Sequence, residues 1–508
     1  MIGKETLEAG TSADMIIKNA RILFDGEAGT HKGWLMVRDG IIEDMGRGDF
    51  PGCRRSGDLA VLDLNQHMIL PAMCDSHMHL YQWSFSRKAL DLSEARSIND
   101  LRSLLRRRLR ESEKDPYLES TGILFGVDYD ESRFNGSRYL DRKVLDDFFP
   151  DDPVVIRRIC GHKAVLNSRA GEILGEHLSI PGNGILFEED AMSVSWKLEL
   201  PADIKSSLLE DSIRELHSYG IVGGVDIIPE IMSEEVISNF NRLPTPFDLN
   251  FSITPKGEDL RTSGPGIDRN WNEIGIKQKK NILFSKYFLD GSIGARTACF
   301  NTDYRDSPSP PPLMSEDELA EHVEDSHKHG LIPMIHAIGD RAVGMILESL
   351  EEFQGPVRIE HAEGIDRKHM VILKDPRLAI CMQPNFQENW GKVGGLYDQA
   401  LGERRLDLNR FKDMTDYTKN LCFGSDMMPP GPMMGIRGAM NHGSKEQNLT
   451  LGKAVDLYSK ESFRLSGLSS NRGILATGNP ADITVFRDGS LQAELTMMDG
   501  KVLHNMTG

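Results

Sequence analysis

Six side chains in this sequence are of types that could together hold and use a metal ion. His77 and His79 stand two residues apart at the end of an apolar run, in ILPAMCDSHMHLYQW. On a strand that spacing puts both imidazoles on one face. Downstream, Lys286 lies among apolar neighbours in FSKYFLDGS, His336 closes IPMIHAIGD, His361 closes VRIEHAE, and Asp426 follows in LCFGSDM. Taken singly each is weak. A strand-end histidine is more often structural than a ligand, and an Asp after Gly-Ser can be a helix cap. Four histidines, a lysine and an aspartate that close successive apolar runs are much harder to produce by chance. Imidazole nitrogens and carboxylate oxygens without thiolate suit zinc or a similar divalent ion. Lys286 does not suit that company, because an ammonium with a pKa near ~10.4 is repelled by a cation and costly to bury.

The elements that must position these residues are short apolar runs alternating with amphipathic stretches. Candidate strands are Met68–Cys74, Pro153–Cys160, Ile221–Ile227, Ile282–Phe288, Leu331–His336, Val357–His361, Leu378–Gln383 and Leu421–Gly424. Helical stretches such as ELAEHVEDSHKHG and GDRAVGMILESLEEF separate most of them, each stopping near a Gly. Eight strands alternating with helices predict an α/β fold, a (β/α)8 TIM-like barrel over residues 68–471, which collects its chemistry at the C-terminal strand ends. The gap between the first two strands is too long for one βα unit, and predicts an insertion after barrel strand 1 at about 90–150. The segment 161–220 is expected to fold over the barrel mouth. Hairpin-like strands at both ends, from ADMIIKNARILF to LAVLDLNQHMILPA and in NPADITVFRDG and AELTMMDGKVLH, predict one small β-sandwich built from residues 1–67 and 472–508.

The totals narrow the function. Over 508 residues the net charge is 59 − 77 = −18, which argues against nucleic acid and anionic membranes as partners and leaves a small-molecule substrate. The short basic patch RSLLRRRLRE reads as a solvated helix face. The N-terminus has no apolar core of signal-peptide length, and no 18-residue apolar run occurs elsewhere, so a cytoplasmic location is expected. Six cysteines without a CxxC pair read as buried free thiols.

The motifs HMH, KYFLDGSIGARTA, HAIGDRA, RIEHAE and GSD, with PVVIRRICGHKAVLNS, GILFEED, MQPNF and NPADITVF, resemble the amidohydrolase superfamily. The likeness is to its YtcJ-like, amidohydrolase-3 branch, which includes N-substituted formamide deformylases. It spans nearly the whole chain, and DGSIGARTA with HAIGDRA is its most specific part. The resemblance implies one or two divalent ions, zinc by preference, held by His77, His79, Lys286, His336, His361 and Asp426. It also implies a carbamate on Lys286, an anionic oxygen donor that removes the objection to a lysine; the competing reading is an ordinary lysine paired with Asp290. The implied reaction is hydrolysis of a non-peptide C–N bond in a small N-acyl or N-formyl substrate, with no organic cofactor. The ion makes hydroxide available near neutral pH and polarises the carbonyl, and catalytic Asp426 carries the proton from water to the leaving amine.

Other residues follow from the same resemblance. His162 and Gln383 are expected to line the substrate pocket, and Arg296 either meets a substrate carbonyl or carboxylate or pairs locally. Asp75 and Asp340 either hold ligand histidines by their second nitrogen or shape loops. Glu188 matches the acidic residue of the family's GxLxE stretch, against the plainer reading of a solvated acidic run. Trp83 and Tyr129 are pocket-wall aromatics or core. The sequence has Pro71-Ala72 where the family has Pro-Gly, and Ser425-Asp426-Met427-Met428-Pro429 where it has SDWP, so no relative's substrate preference carries over. The same cage serves a cyclic amide, an ester or an aryl-amine deamination. A regulatory protein with a vestigial site is the reading of another class, and it is opposed by a ligand set with every position filled. Homodimers are the assembly common in the superfamily.

Overall fold

The computed structural model describes residues 14–52, 59–111, 116–136, 139–159, 161, 163–176, 178–198, 200–255, 282–469 and 471–506. The chain divides into two compact units, one of Met1–His79 with Ile213–Gly508 and one of Leu80–Ser212. In the first unit eight strands form a parallel sheet: β1 (Met73–Met78), β2 (Ile221–Pro229), β3 (Asp248–Thr254), β4 (Ile282–Phe288), β5 (Ile332–Ala337), β6 (Val357–His361), β7 (Leu378–Met382) and β8 (Leu421–Phe423). Each pairs with its successor, in the order β8 to β1. Just past β8, the Asp426 N–H donates to the His77 carbonyl at 2.9 Å, which brings the ring to near closure as an eight-stranded barrel.

The two-residue period of a strand sorts the side chains. On β4, Lys286 shares the inner face with Phe284, which packs with Val225, Ile227 and Met334 inside the barrel. The alternate residues face outward: Ser285 and Tyr287 hydrogen-bond Ser326 of the helix Glu316–Lys328 at 2.7 and 3.0 Å. That helix begins at a capping box formed by Ser315 and Glu318. Ile335 and Ile359 point outward too, into the main core with Val343 and Ile346. β1 is flanked so tightly that its neighbours must be glycine. A Cβ on Gly224 would lie 2.3 Å from the Asp75 carbonyl, and one on Gly424 would lie 2.6 Å from the His77 nitrogen.

Beneath the barrel, strands from both ends of the chain make one eight-stranded sheet. Met15–Ile22, His31–Arg38, Ile41–Arg47, Ala60–Asp63 and Met68–Pro71 come from before the barrel, and Ile483–Phe486, Leu495–Met498 and Lys501–Asn505 from after it. Met68–Pro71 pairs antiparallel with Ile483–Phe486, and only Ala72 separates it from β1.

Three strand assignments need correction. Met68–Cys74 is not one strand: its first half belongs to the terminal sheet, and the barrel begins at Met73. Pro153–Cys160 is not a barrel strand. Val154–Arg158 lies in the five-stranded sheet of the second unit, parallel to Leu124–Tyr129 and antiparallel to Lys163–Leu166. The missing barrel strand is β3, DLNFSIT, whose buried Asn250 and Ser252 break the apolar run that marks its neighbours. The inserted unit is also longer than 90–150. Its core draws on Leu101, Leu124, Val154, Ile156, Val165 and Ile185, so strands within 161–220 build this sheet. Among the described residues no helix is long and apolar enough to cross a membrane.

A candidate metal centre at the barrel rim

His77 and His79 leave the end of β1 with their Nε2 atoms 3.4 and 3.1 Å from Oδ1 of Asp426, which enters from beyond β8. Asp75, two residues back on the same face, does not hold a histidine ring. It accepts from the backbone N–H groups of His77 at 3.2 Å and Ser425 at 2.8 Å, and from the Ser425 hydroxyl. It thereby pins β1 to the turn that carries Asp426. Asp426 and Met427 adopt φ of +54° and +56°, a left-handed turn that such pinning must stabilise.

β5 and β6 supply the next two histidines. The ring of His361 lies 4.9 Å from that of His77 and 4.4 Å from that of His336. Strand parity puts Arg358 and Glu360 inside and His361 outside, but His361 has φ +70° and Ala362 φ +45°, which swings the imidazole into the ring of ligands. His336 presents Nε2 to the Gly291 carbonyl at 3.1 Å, leaving Nδ1 unclaimed by that bond. Nδ1 of His361 is buried and unpartnered among the described residues.

Two residues that the ligand motifs did not single out complete the arrangement. Glu360 binds Nδ1 of His77 through Oε2, and its Oε1 lies 2.7 Å from the Arg358 guanidinium. Arg358 also donates to the Ser76 carbonyl. Such a carboxylate fixes the tautomer, so that the far nitrogen of His77 carries the lone pair. The signal in the sequence was Arg-x-Glu at i, i+2 on a strand otherwise apolar. Charged groups there must pair inside the barrel.

Lys286 is buried, and its ammonium nitrogen has no hydrogen-bond partner among the described residues; it sits 5.2 Å above the Phe288 ring. It is not paired with Asp290, which instead accepts backbone N–H bonds from Cys299, Ile338 and Gly339. Burial pulls Lys286 down to about 8 against the pull of Glu360 and Asp426. Burial likewise lowers His336 to about 3 and pushes His361 and His79 below the usual histidine range. His77 is the exception: burial and Lys286 pull it down, but Glu360 and Asp426 outweigh them and raise it. Glu360 is held at about 2, since Arg358 and His77 overcome its burial. For Asp426, too, burial is overcome, by His77 and His79, and it falls well below the usual carboxylate range.

This donor set fits a cation. His77, His361 and Asp426 each offer an atom within 4.8 Å of the others, so small inward movements place all three on one ion with bonds of about 2.1 Å. His77, Glu360 and Cys381 form a second such group, but the Arg358 guanidinium already occupies that layer.

The remaining candidates fall elsewhere. Arg296 is closed in a two-pronged pair with Asp306 at 2.9 and 3.0 Å, the local alternative. Gln383 is buried at the end of β7, with Nε2 on the Cys381 carbonyl at 3.3 Å and Oε1 unpartnered among the described residues. Asp340 accepts from the Asn301 N–H at 2.7 Å and shapes a loop. Tyr129 belongs to the core of the second unit, and Trp83 of that unit is half-buried, with Arg87 over its ring. His162 and the side chain of Glu188 lie outside the described residues.

Residues 60–504 match the amidohydrolase family. The Bacillus subtilis protein YtcJ, named as an amidohydrolase, is 26% identical over 503 residues, which cover 90% of this chain and 91% of its own. A metal-dependent hydrolase from Pyrococcus horikoshii OT3 shares the fold with a TM-score of 0.70 and 26% identity, over 93% of this chain and 97% of its own. The fold is shared also by one from Pyrococcus furiosus, with a TM-score of 0.70 and 24% identity, over 93% and 99%. By family, by fold and by a cation-fitting rim, this chain is a metal-dependent hydrolase of the amidohydrolase family.

Proposed function

We propose that the protein hydrolyses a non-peptide amide bond in a small N-acyl or N-formyl compound. His77, His79, His336, His361, Asp426 and a carboxylated Lys286 hold the divalent ions, and the nitrogen and oxygen donors favour zinc. The observation that carries this reading is Lys286. A buried, unpartnered amine lowered to about 8 is neutral in a sizeable fraction near physiological pH, and only the neutral amine adds to carbon dioxide. That addition forms the N–C bond, releases one proton and turns a misplaced cation into an anionic ligand.

When bound, a divalent ion supplies Lewis acidity and lowers the pKa of water. The chain's residues do the rest. Glu360 keeps the Nδ1 proton of His77 so that Nε2 faces the ion. Asp426 is ionised, and its side chain is 12% exposed at the rim. It accepts the proton of the attacking water and returns it to the leaving amine.

Two measurements test this. Metal content on protein grown with and without bicarbonate, paired with intact mass, should show two ions per chain and a carbon dioxide increment on Lys286. One ion and an unmodified lysine would end the carbamate reading. Asp426→Asn should keep metal and lose roughly 10²–10⁴-fold in turnover; full activity would remove Asp426 from its role. A panel of formamides, N-acyl amino acids, lactams and esters then separates the open-chain amide from the cyclic amide and the ester.

A further inference from the structure

Next to the metal ligands the barrel unit builds an apolar wall with a carboxylate set in it. Phe386 stacks on His361, the rings 6.0 Å apart and 12° from parallel. Trp390 follows 4.7 Å from Phe386, and Tyr397 6.0 Å from Trp390; Ile293, Ile338 and Met428 pack with them. Glu363, only 2% exposed, reaches into this wall. Its Oε2 accepts from the Tyr397 hydroxyl and from Asn409 Nδ2 at 3.0 Å, and its carbonyl accepts the Asn409 N–H at 2.7 Å. Both of these side-chain donors go to Oε2, so Glu363 Oε1 accepts neither, and Asn409 Oδ1 is buried without a partner among the described residues.

A buried acceptor without a donor calls for an explanation, and Asn409 Oδ1, beside a carboxylate with an uncommitted oxygen in an aromatic wall, asks for a group rich in N–H. Neighbouring cations are engaged elsewhere: Arg296, over the Tyr304 ring, has both prongs on Asp306, and Arg410, next to Asn409, is paired with Asp413. An ammonium would gain charge-assisted hydrogen bonds from Glu363 and Asn409 and a cation–π contact from the rings.

Building on the hydrolase reading above, we infer that the leaving half of the substrate carries a protonated amine or guanidinium, seated on Trp390 and Tyr397 with its N–H groups on Glu363 and Asn409. The substrate class is an N-acylated or N-formylated diamine.

The test uses the full-length, metal-loaded protein and a series of monoacetylated diaminoalkanes with two to six methylenes, each matched to the N-alkylacetamide in which methyl replaces the ammonium. Calorimetric affinity and kcat/KM are measured for both series. At the best length the cationic member should win by roughly ten- to a hundredfold, chiefly in KM. Glu363→Gln should bring that ratio close to one, and Glu363→Asp should restore part of it. Equal or better binding of the neutral member by the unmodified protein would overturn the proposal and leave an ordered water on the two acceptors. This comparison decides the matter even if the Gln variant does not fold. Cation preference in binding with no amide hydrolysed would sink the hydrolase reading alone; hydrolysis without preference would sink this one alone.

Discussion

The least conspicuous residue of the rim controls its most exposed property. Glu360 raises the pKa of His77 and fixes its tautomer, while burial keeps His336 at about 3 and His361 low. Neutral histidine binds metal and protonated histidine does not, so His77 is the imidazole whose proton competes longest with the ion. Metal affinity should therefore begin to weaken, as pH falls, above 6.5 rather than below it. Chelator competition between pH 5 and 8 reads this, and a break well below 6.5 would contradict it. Glu360→Gln should move the break downward and cost roughly 10–100-fold in affinity. It should also lower the melting temperature, because Arg358 is left buried without its partner, a loss on the order of 3–5 kcal/mol. The candidate ligands that the rim brings together were legible in sequence because most of them close or follow an apolar run, Lys286 alone among them lying inside one. Glu360 was not, because strand parity lets only one of Glu360 and His361 face inward. The left-handed backbone at His361, which admits both, leaves no mark in the residue types.

Among the elements, β1 is the tightest fit. It carries Asp75 and His77 and leads directly into His79, and it is hemmed by Gly224 on one side and Gly424 on the other. Gly424→Ala would force a methyl against the His77 backbone, which should cost about 1–3 kcal/mol in chemical denaturation and weaken metal binding in step. An unchanged midpoint would show that the seam can relax. Element reading from sequence succeeded for β2 and for β4 to β8 and failed at β3, where Asn250 and Ser252 interrupt the run. It also failed at Val154–Arg158, which has the composition of a barrel strand but pairs within the inserted unit. Composition reports burial; it does not report which sheet does the burying.

For the whole molecule, the net charge of −18 matters most for encounter. If the substrate is cationic, its capture is steered, and kcat/KM should fall several-fold between 10 mM and 0.5 M salt while the neutral isostere shows no slope. Identical slopes for both would count against steering. The barrel and the terminal sheet were legible at this scale because seven of the eight apolar runs and two β-rich ends lie in the order that the fold needs. The extent of the insertion was not, since its far boundary, at Ser212, falls inside the helix Ala202–Ser218. The seam at Asp75 and Ser425, 350 residues apart in sequence, also sets the order of manufacture. A ribosome must deliver more than four-fifths of the chain before the last ligand exists, and the first histidines wait throughout with no ring to join. On the proposed ligand set, metal capture cannot be completed until Asp426 has been made, and a product terminated ahead of it lacks a ligand.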